Sequence, residues 1–516
     1  MKRASRKKTP KDDAQPHGPE RVITRVPRLD YILKGGLFAG GTYVLMGPPG
    51  SGKTIVANQV AYGHLDETKG SCVYVTLLVE SHARMIEHLS TLEFYREEYV
   101  GTHLIYVSGY SALRTDGLTG LLALIRRTVR ERDATMLVLD GLESVAECAP
   151  DVQTFREFVH DLQGFTNLVR CTTLLLTNKR ERTHVENGLV DGVIELSDTV
   201  LGPRAIRELT VHKFRGSDYL RGRHEVEIQS RGILIHPRTE IQFDRPPETA
   251  TEDRIRMPLG IESLDEMIEG GVLSGSATAL LGAPGTGKTM IGLTFLVEGA
   301  RRGQKGTYFG FYEPPPRLME KAAQVGIELE RYVDKGLIEL LWQPPLEHMM
   351  DSLAEQLLER LREAESDGRR RLFIDGIEGF RAAGVYPDRM PRFLSAFTNQ
   401  LRMLDVTTMI SEELDLFSPT IAMPNPELAN VVESVFLLRY VELKSQLHRL
   451  ISILKMRESD YDTSIREFKI TDDGIVVASS FASADAILTG LARTAADASA
   501  APAPSKTTNK KKRGAR

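Results

Sequence analysis

The sequence predicts an α/β fold of two tandem domains, each a mainly parallel sheet flanked by helices. Three observations support this prediction. Apolar, strand-like runs alternate with helix-like runs along the chain. Each half carries a glycine-rich loop between such a strand and such a helix. These loops and several neighbouring motifs recur at nearly constant spacing, so the second half repeats the first.

The glycine-rich loops both fit the pattern G-x-x-x-x-G-K-[ST], which is typical of nucleoside triphosphate binding. Glycines let the backbone curl until its N–H groups point at phosphate oxygens, and the following helix adds a partial positive charge. A chance glycine-rich turn is the alternative, and recurrence in matching context argues against it. The loop residues predicted to bind the nucleotide are Gly47, Gly50, Ser51, Gly52, Lys53 and Thr54 in the first half, and Gly282, Gly285, Thr286, Gly287, Lys288 and Thr289 in the second.

Two side chains of each loop have a predicted chemical role. Lys53 and Lys288 are expected to reach the β- and γ-phosphates of ATP and to act in catalysis. Thr54 and Thr289 are expected to ligate Mg²⁺. ATP and Mg²⁺ are therefore the predicted cofactors.

The repeat extends beyond the loops. A Leu-Asp pair followed by Gly-Gly stands before each loop, with its aspartates at Asp30 and Asp265. The separation of these two aspartates along the chain equals the separation of the loop lysines, Lys53 and Lys288. A repeat of this length is a duplicated domain rather than a solenoid unit.

A second acidic motif recurs at the same offset. Asp140 and Asp375 each end an apolar run, as expected for a buried parallel strand. Ligands of open α/β sheets bind at the carboxyl ends of such strands. Both aspartates are therefore predicted to hold the metal ion, although a strand-end aspartate that caps the next turn is an alternative.

Composition sets the domain organisation. The chain has 516 residues, of which 41% are hydrophobic, and a net charge of −4. That charge argues against a general electrostatic attraction to nucleic acid. Binding of nucleic acid stays open as a possibility but is not favoured. The absence of a long apolar run and the three scattered cysteines predict a cytoplasmic protein without a membrane segment. The predicted segments are a disordered basic tail (1–20), a first domain (21–243), a linker (244–256), a second domain (257–482) and a low-complexity basic tail (483–516).

Hydrolysis needs a group that orients or deprotonates water. One glutamate per half follows the second predicted strand, Glu80 and Glu313, and both are candidate catalytic bases. Their separation falls two positions short of the common offset, so their equivalence requires a slip of two residues between the halves. Glu143 and Glu378, three residues after each strand-end aspartate, are the rival candidates.

Cations that could neutralise a transition state stand late in each half. The sequence Lys213-Phe214-Arg215 recurs as Lys455-Met456-Arg457, and alternation along a strand places the lysine and arginine of each on one face. Two cations aimed at one place suit a triphosphate, although a single such tripeptide is usually surface decoration. Arg215 and Arg457 are the predicted catalytic cations.

Over residues 20–480 these motifs together resemble the KaiC family, a branch of the RecA-like ATPases. The resemblance implies hexameric double rings with ATP held between neighbouring subunits. It also implies that the late cations act on a neighbour's ATP and that nearby hydroxyls line the same nucleotide. The nucleotide-binding residues implied in this way are Lys213, Phe214, Arg215, Ser217 and Tyr219, and Lys455, Met456, Arg457, Ser459 and Tyr461.

The chain departs from the clock members of this family in three ways, one of which is Glu458 at a position where a glycine is usual. Those members carry two adjacent glutamates after the second strand, and here Val79 and Tyr312 replace the first of each pair. They also phosphorylate an adjacent Ser-Thr pair, which falls here on Ala429 and Asn430. The hydroxyls of Ser418, Thr420 and Ser434 lie near that position in the sequence, and nothing selects one of them.

The predicted function is a two-domain, KaiC-like ATPase that forms homohexamers and switches conformation for a regulatory protein partner. Serine/threonine autokinase activity is a family expectation. A DNA recombination or repair ATPase is a second reading, which would require a basic channel loop and stimulation by single-stranded DNA. A third is a scaffold that binds ATP and assembles without hydrolysing it.

Overall fold

The computed structural model divides the chain into two compact units, Met1–Ile241 and Gln242–Arg516. Among the residues it describes, none of the helices combines the length and apolar character needed to cross a bilayer. Both predicted tails (except residue 20), most of the predicted linker and Glu80 lie outside the described residues. The structure describes residues 20–77, 82–178, 188–242, 254–344, 348–363, 370–415, 426–443, 445–457, 459–472 and 474–478.

The first unit alternates strands and helices as the sequence predicts. Its strands are β1 (Arg21–Val22), β2 (Leu37–Phe38), β3 (Thr42–Met46), β4 (Cys72–Thr76), β5 (Leu104–Ser108), β6 (Met136–Asp140), β7 (Thr172–Thr177), β8 (Gly192–Leu201), β9 (Arg204–Phe214), β10 (Arg223–Gln229) and β11 (Gly232–His236). Its helices are α1 (Leu29–Ile32), α2 (Lys53–Thr68), α3 (His82–Leu89), α4 (Tyr110–Glu131), α5 (Leu142–Cys148) and α6 (Val152–Leu168), with short 3₁₀ helices at Glu97–Tyr99 and Thr239–Ile241.

The main sheet of the first unit has nine strands in the order β11-β10-β9-β8-β3-β7-β6-β4-β5. The six strands from β8 to β5 run parallel, and β9, β10 and β11 extend the sheet in antiparallel fashion. The loop between β3 and α2 therefore opens at the carboxyl edge of the parallel strands. β1 and β2 form a separate two-stranded ribbon.

The second unit contains the same succession. Its strands are β12 (Arg256–Met257), β13 (Val272–Leu273), β14 (Ala277–Gly282), β15 (Gly306–Gly310), β16 (Ile338–Trp342), β17 (Arg370–Asp375), β18 (Val406–Glu413), β19 (Ser434–Leu443), β20 (Gln446–Met456), β21 (Arg466–Thr471) and β22 (Gly474–Val477). Its helices are α7 (Glu262–Met267), α8 (Lys288–Arg301), α9 (Pro315–Gln324), α10 (Leu329–Asp334), α11 (Met350–Glu363), α12 (Glu378–Ala383), α13 (Met390–Met403) and α14 (Pro426–Val431), with a 3₁₀ helix at Pro387–Arg389.

The second sheet repeats the first strand for strand. Its order is β16-β15-β17-β18-β14-β19-β20-β21-β22, with six parallel strands followed by three antiparallel ones. Each sheet has a hydrophobic core on both faces, because alternate strand residues point to opposite sides. In β3, Leu45 packs into one core while Val44 and Met46 pack into the other. The predicted α/β class, with two mainly parallel sheets flanked by helices, is confirmed.

The Leu-Asp motif that precedes each loop has a structural explanation. The carboxylate of Asp30 accepts a hydrogen bond from Thr24 N at 2.9 Å, and that of Asp265 accepts one from Leu259 N at 2.6 Å. Each aspartate thereby fixes the turn between the first short strand and the first helix of its unit. Burial raises the pKa of both carboxyl groups, and the backbone N–H donors oppose that shift.

Candidate functional site

The first phosphate-binding loop joins β3 to α2. Gly50 and Gly52 adopt positive φ angles of 81° and 99°, a region that favours glycine. The Lys53 ammonium lies against the loop and donates to the carbonyl oxygens of Gly47 and Pro48, both at 2.9 Å. The backbone curl predicted from the sequence is thus present, with the lysine at its centre.

The second loop has the same geometry between β14 and α8. Gly285 and Gly287 have φ angles of 77° and 106°. The Lys288 ammonium donates to Gly282 O at 2.6 Å and to Ala283 O at 3.1 Å. Burial lowers the pKa of Lys288, while Glu413, Asp375 and Glu378 oppose that shift.

The first glycine of each loop is required by a close approach of the neighbouring strand. A β-carbon at Gly47 would lie 2.1 Å from the carbonyl oxygen of Leu196 on β8. A β-carbon at Gly282 would lie 2.8 Å from the carbonyl oxygen of Leu438 on β19. Neither contact is tolerable, so the loop can start its curl here only without a side chain.

The strand-end aspartates meet the loop threonines. Thr54 Oγ1 donates to Asp140 Oδ2 at 3.3 Å, and Thr289 Oγ1 donates to Asp375 Oδ2 at 2.9 Å. Burial is the main cause that raises the pKa of both carboxyl groups. A hydroxyl and a carboxylate placed together at the end of a phosphate loop form the oxygen-rich donor set that Mg²⁺ prefers.

A buried tyrosine, which the sequence analysis missed, also contacts each aspartate. Tyr74 on β4 donates to Asp140 Oδ2 at 2.9 Å, and Tyr308 on β15 donates to Asp375 Oδ2 at 3.1 Å. Burial raises the pKa of both phenols, so both remain hydrogen-bond donors. Their separation, one position short of the common offset, was visible in the sequence, but only the strand register brings them to the aspartates.

The two aspartates differ in their third partner. Ser411 on β18 donates to Asp375 Oδ1 at 2.9 Å. The strand pairing places Leu176 of β7 beside Asp140, at the position corresponding to Ser411. Asp375 therefore has donors on both carboxylate oxygens, whereas the described residues donate side-chain hydrogen bonds only to Oδ2 of Asp140.

The donor set of each loop fits a nucleoside triphosphate with a divalent cation. The left-handed glycines open backbone N–H groups toward one point, and the lysine ammonium is bound there only by loop carbonyls among the described residues. Phosphate oxygens are stronger acceptors for an ammonium than carbonyls are. The Thr–Asp pair adds oxygen ligands at the same point.

Beside the second loop lies a cavity of about 470 Å³. Lys288, Thr289 and Asp375 line it, together with Glu313 and Lys321. Lys321 on α9 forms an ion pair with Glu313. The cations that the sequence singled out stand late in each half, so Lys321, eight residues after Glu313, was not among them.

The candidate bases have different positions. Glu313 lines the cavity, whereas Glu80 lies outside the described residues. Strand pairing sets Thr76 beside Asp140 and Gly310 beside Asp375, so these strand ends are separated by one position less than the aspartates are. The first half therefore has one extra residue before this strand end and a second one between Thr76 and Glu80. Together these two residues account for the slip. The catalytic role of both glutamates stays a prediction.

The rival glutamates hold the end of the adjacent strand. Glu143 accepts from the side chain of Asn178 at 2.6 Å and from its backbone N at 3.3 Å. Glu378 accepts from Glu413 N at 2.8 Å. Both carboxylates thus accept hydrogen bonds at the carboxyl end of β7 or β18 and hold it in place. Glu378 also lines the cavity.

The late cations bind backbone carbonyls of the segment that precedes β8 or β19. Lys213 and Arg215 both donate to Gly188 O, at 3.3 and 3.1 Å. Lys455 donates to Ala429 O at 2.6 Å, and Arg457 donates to Asn430 O at 3.4 Å. Each pair therefore reaches one backbone segment, as expected for side chains on one face.

Four hydroxyl residues follow these cations. The phenols of Tyr219 and Tyr461 donate to backbone carbonyls of β9 and β20, at 3.2 and 3.5 Å. The Ser459 hydroxyl is buried without a hydrogen-bond partner among the described residues. Ser217 lies just beyond β9. Their predicted contact with nucleotide stays a prediction, as do those of Phe214 and Met456.

The segment that corresponds to the phosphorylated pair includes α14. Ala429 is buried and Asn430 is exposed at the end of this short helix. Ser434, at the start of β19, is 3% exposed. Ser418 and Thr420 lie outside the described residues.

Comparison with known proteins gives a consistent result. The family model described as "ATPase: KaiC" matches residues 22–240 and 257–481. The chain is 25% identical over 486 residues to the circadian clock oscillator protein KaiC of a Picosynechococcus species, covering 92% of each chain. It is 25% identical over 491 residues to circadian clock oscillator protein KaiC 1 of a Synechocystis species, covering 93% of each, and 23% identical over 487 residues to KaiC of a Nostoc species, covering 92% of each.

The match falls once on each half, over the two sheets that carry the phosphate-binding loops. A nucleotide and a metal ion are the ligands that this family assignment implies, and the paired loops supply the donors for both. Tandem family units, a shared strand order and two complete loops lead to one conclusion. The chain belongs to the KaiC ATPase family and is a double-domain ATPase.

Proposed function

We propose that both units hydrolyse ATP in the presence of Mg²⁺ and that the reaction serves as a conformational switch. The observation that carries this proposal is the repeated contact between a loop threonine and a strand-end aspartate beside a loop lysine. Thr54 with Asp140 and Thr289 with Asp375 provide it in the two halves. A loop that only anchored a phosphate would not need a buried carboxylate at its metal position.

The backbone, the lysine and the Thr–Asp pair at each loop have separate roles. Backbone N–H groups hold the phosphates, and Lys53 or Lys288 exchanges its loop carbonyls for β- and γ-phosphate oxygens. Thr54 with Asp140, and Thr289 with Asp375, would hold Mg²⁺. When bound, that ion neutralises charge on the phosphates.

Glu313, and Glu80 in the first half, would orient the attacking water and accept its proton. The water oxygen bonds to the γ-phosphorus as the bond to the ADP oxygen breaks, and the products are ADP and phosphate. Glu313→Gln keeps the size of the side chain and removes the base, so turnover should fall by roughly 10²–10⁴-fold. Unchanged turnover in a Glu80→Gln/Glu313→Gln protein would exclude both glutamates as bases.

We further propose that the late cations act on the ATP of a neighbouring subunit in a homohexamer. Two facts support this: Arg215 and Arg457 donate to backbone carbonyls of their own late segment, and the described lining of the second cavity contains neither Lys455 nor Arg457. A cation held away from its own loop serves catalysis only if another chain brings a phosphate to it.

Mixed assemblies test the interface. Arg215→Ala/Arg457→Ala protein alone should turn over ATP slowly, and so should Lys53→Ala/Lys288→Ala protein. Hybrid rings contain interfaces with an intact loop from one chain and intact cations from the other. Mixing should therefore restore part of the activity, and no recovery at any ratio would refute action across the interface.

Autokinase activity is a separate part of the proposal and has its own test. Purified protein incubated with Mg-ATP is analysed by intact-protein and phosphopeptide mass spectrometry, with ADP quantified in the same tube. Covalent phosphate on serine or threonine would establish a kinase and locate its acceptor, since Ala429 and Asn430 have no hydroxyl group. ADP without bound phosphate would establish an ATPase switch, and neither product would favour a non-hydrolysing scaffold.

A further inference from the structure

We propose that Lys321 is a positioning residue for Glu313: it holds one oxygen of the carboxylate and leaves the other for the attacking water. The inference rests on the proposed function, because it takes Glu313 to be the base of the second unit. It adds a cation that acts within the same chain and in only one of the two halves.

The ion pair lies inside the cavity of the second loop. Lys321 Nζ binds Glu313 Oε1, and both residues line the cavity together with Lys288 and Asp375. Helix α9 begins two residues after Glu313 and anchors itself in the core through Leu318, three residues before the lysine. The ammonium therefore projects from a fixed helix toward the site.

The other carboxylate oxygen of Glu313, Oε2, indicates where the attacking water would bind. Glu313 Oε2 is buried and has no hydrogen-bond partner among the described residues. A buried carboxylate oxygen without a donor is costly, so such an atom indicates a partner that arrives with the ligand. A water molecule that donates a hydrogen bond to Oε2 satisfies that oxygen and is activated by it.

The backbone beneath Glu313 is also held. Trp342 Nε1 donates to Phe311 O at 3.2 Å, one residue beyond β15. The Phe311 ring packs so tightly on Gly379 that a β-carbon there would lie 2.2 Å from the ring. With the main chain fixed two residues earlier and Oε1 fixed by Lys321, few side-chain rotations of Glu313 remain.

Charge gives a second reason for the lysine. Asp375, Glu378 and Glu413 line the same cavity, and a triphosphate would add further negative charge. Without a cation beside it, the Glu313 carboxylate would be repelled from the phosphates that it must approach. Lys321 offsets that repulsion without occupying Oε2.

The first half has no fixed cation at the corresponding spacing. Lys321 stands eight residues after Glu313, and His88 stands eight residues after Glu80. The ion pair between Lys321 and Glu313 therefore distinguishes the two sites. Removal of the lysine should affect the second site alone.

The test measures ADP release in a Lys53→Ala background, so that turnover reports the second site. The variants are Glu313→Gln, Lys321→Met, Lys321→Arg, and Lys321→Met combined with Glu313→Gln. Arg317→Met is the matched control, because it removes an exposed cation from the same helix outside the described cavity lining. Trp342, the sole tryptophan, reports by its fluorescence whether each variant retains the folded site.

Lys321→Met should lower kcat by roughly tenfold with little change in KM, since it disorders a base rather than substrate binding. Lys321→Arg should recover most of the loss, and Arg317→Met should have no effect. In the Glu313→Gln background Lys321→Met should change kcat by less than about twofold, because the two act as one unit.

Three results would overturn the inference. Full kcat in a folded Lys321→Met protein would make the ion pair a surface feature. Independent, multiplicative losses in the double variant would mean that Lys321 acts on the phosphates directly. Full turnover in Glu313→Gln would remove the base itself, and with it this part of the proposed function; the first two results would leave that function intact.

Discussion

The two tyrosines that bind the strand-end aspartates allow a comparison within one chain. Tyr74→Phe and Tyr308→Phe each remove one hydroxyl and leave the ring that fills the core. Both side chains are fully buried, so neither substitution opens a large cavity. The loss should therefore report the hydrogen bond to the carboxylate and not a change in packing.

The magnitude follows from the donors that remain. A hydrogen bond to a charged group contributes about 1.5–3 kcal/mol. After Tyr74→Phe, Asp140 keeps Thr54 at 3.3 Å as its side-chain donor among the described residues. After Tyr308→Phe, Asp375 keeps both Thr289 and Ser411, each at 2.9 Å. We expect a loss near the upper end of this range, roughly 2–3 kcal/mol, for Tyr74→Phe, and one near the lower end, roughly 1.5 kcal/mol, for Tyr308→Phe.

The assay is native-state hydrogen exchange by mass spectrometry on nucleotide-free protein, which follows the two units separately. Peptides from α2 and β6 report the first unit, and peptides from α8 and β17 report the second. Each variant should lose protection in its own unit. Equal losses in the two units, or a larger loss for Tyr308→Phe, would refute the argument from donor counts.

Three further results are expected. Burial lowers the pKa of His64 below 6.5, so on acidification the unfolded chain binds a proton before the folded one does. The free energy of unfolding should therefore fall as the pH drops below about 6.5. His64→Gln should remove this part of the loss between pH 7.5 and 5, measured from unfolding midpoints. Gly299→Ala places a β-carbon 2.4 Å from the buried Arg371 side chain and should destabilise by about 1–3 kcal/mol, whereas Gly164→Ala, with open space in its helix, should stabilise by up to about 1 kcal/mol in the same denaturant titration. Thr289→Val should raise the Mg²⁺ concentration needed for half-maximal turnover at the second site; an unchanged Mg²⁺ dependence would contradict the threonine's role.

Local sequence was sufficient to predict the loops because phosphate binding by such a loop depends on a short, contiguous stretch of backbone. Glycines at positive φ, a lysine and a hydroxyl must stand in fixed order, and that order is visible in one short stretch of each half. The constant offset then linked each loop to its strand-end aspartate, and the structure places Thr54 with Asp140 and Thr289 with Asp375. The repeat also predicted two equivalent sheets, which the strand order confirms.

Contacts that depend on register were not predictable in the same way. Tyr74 reaches Asp140 because β4 pairs with β6 at one register, and a shift of one residue would turn its side chain to the other face. Lys321 reaches Glu313 only because α9 packs at a particular rotation about its axis.

The sequence by itself therefore determined the elements of the site: two phosphate-binding loops, the strand-end aspartates beside them and the duplicated α/β architecture that holds them. Only the tertiary structure decided how each carboxylate is held. Asp375 has a serine where Asp140 faces Leu176, and Glu313 has a lysine partner from the following helix. The physical reason is that phosphate binding uses a contiguous stretch of backbone, whereas the orientation of a buried carboxylate depends on donors that only strand register and helix rotation bring together.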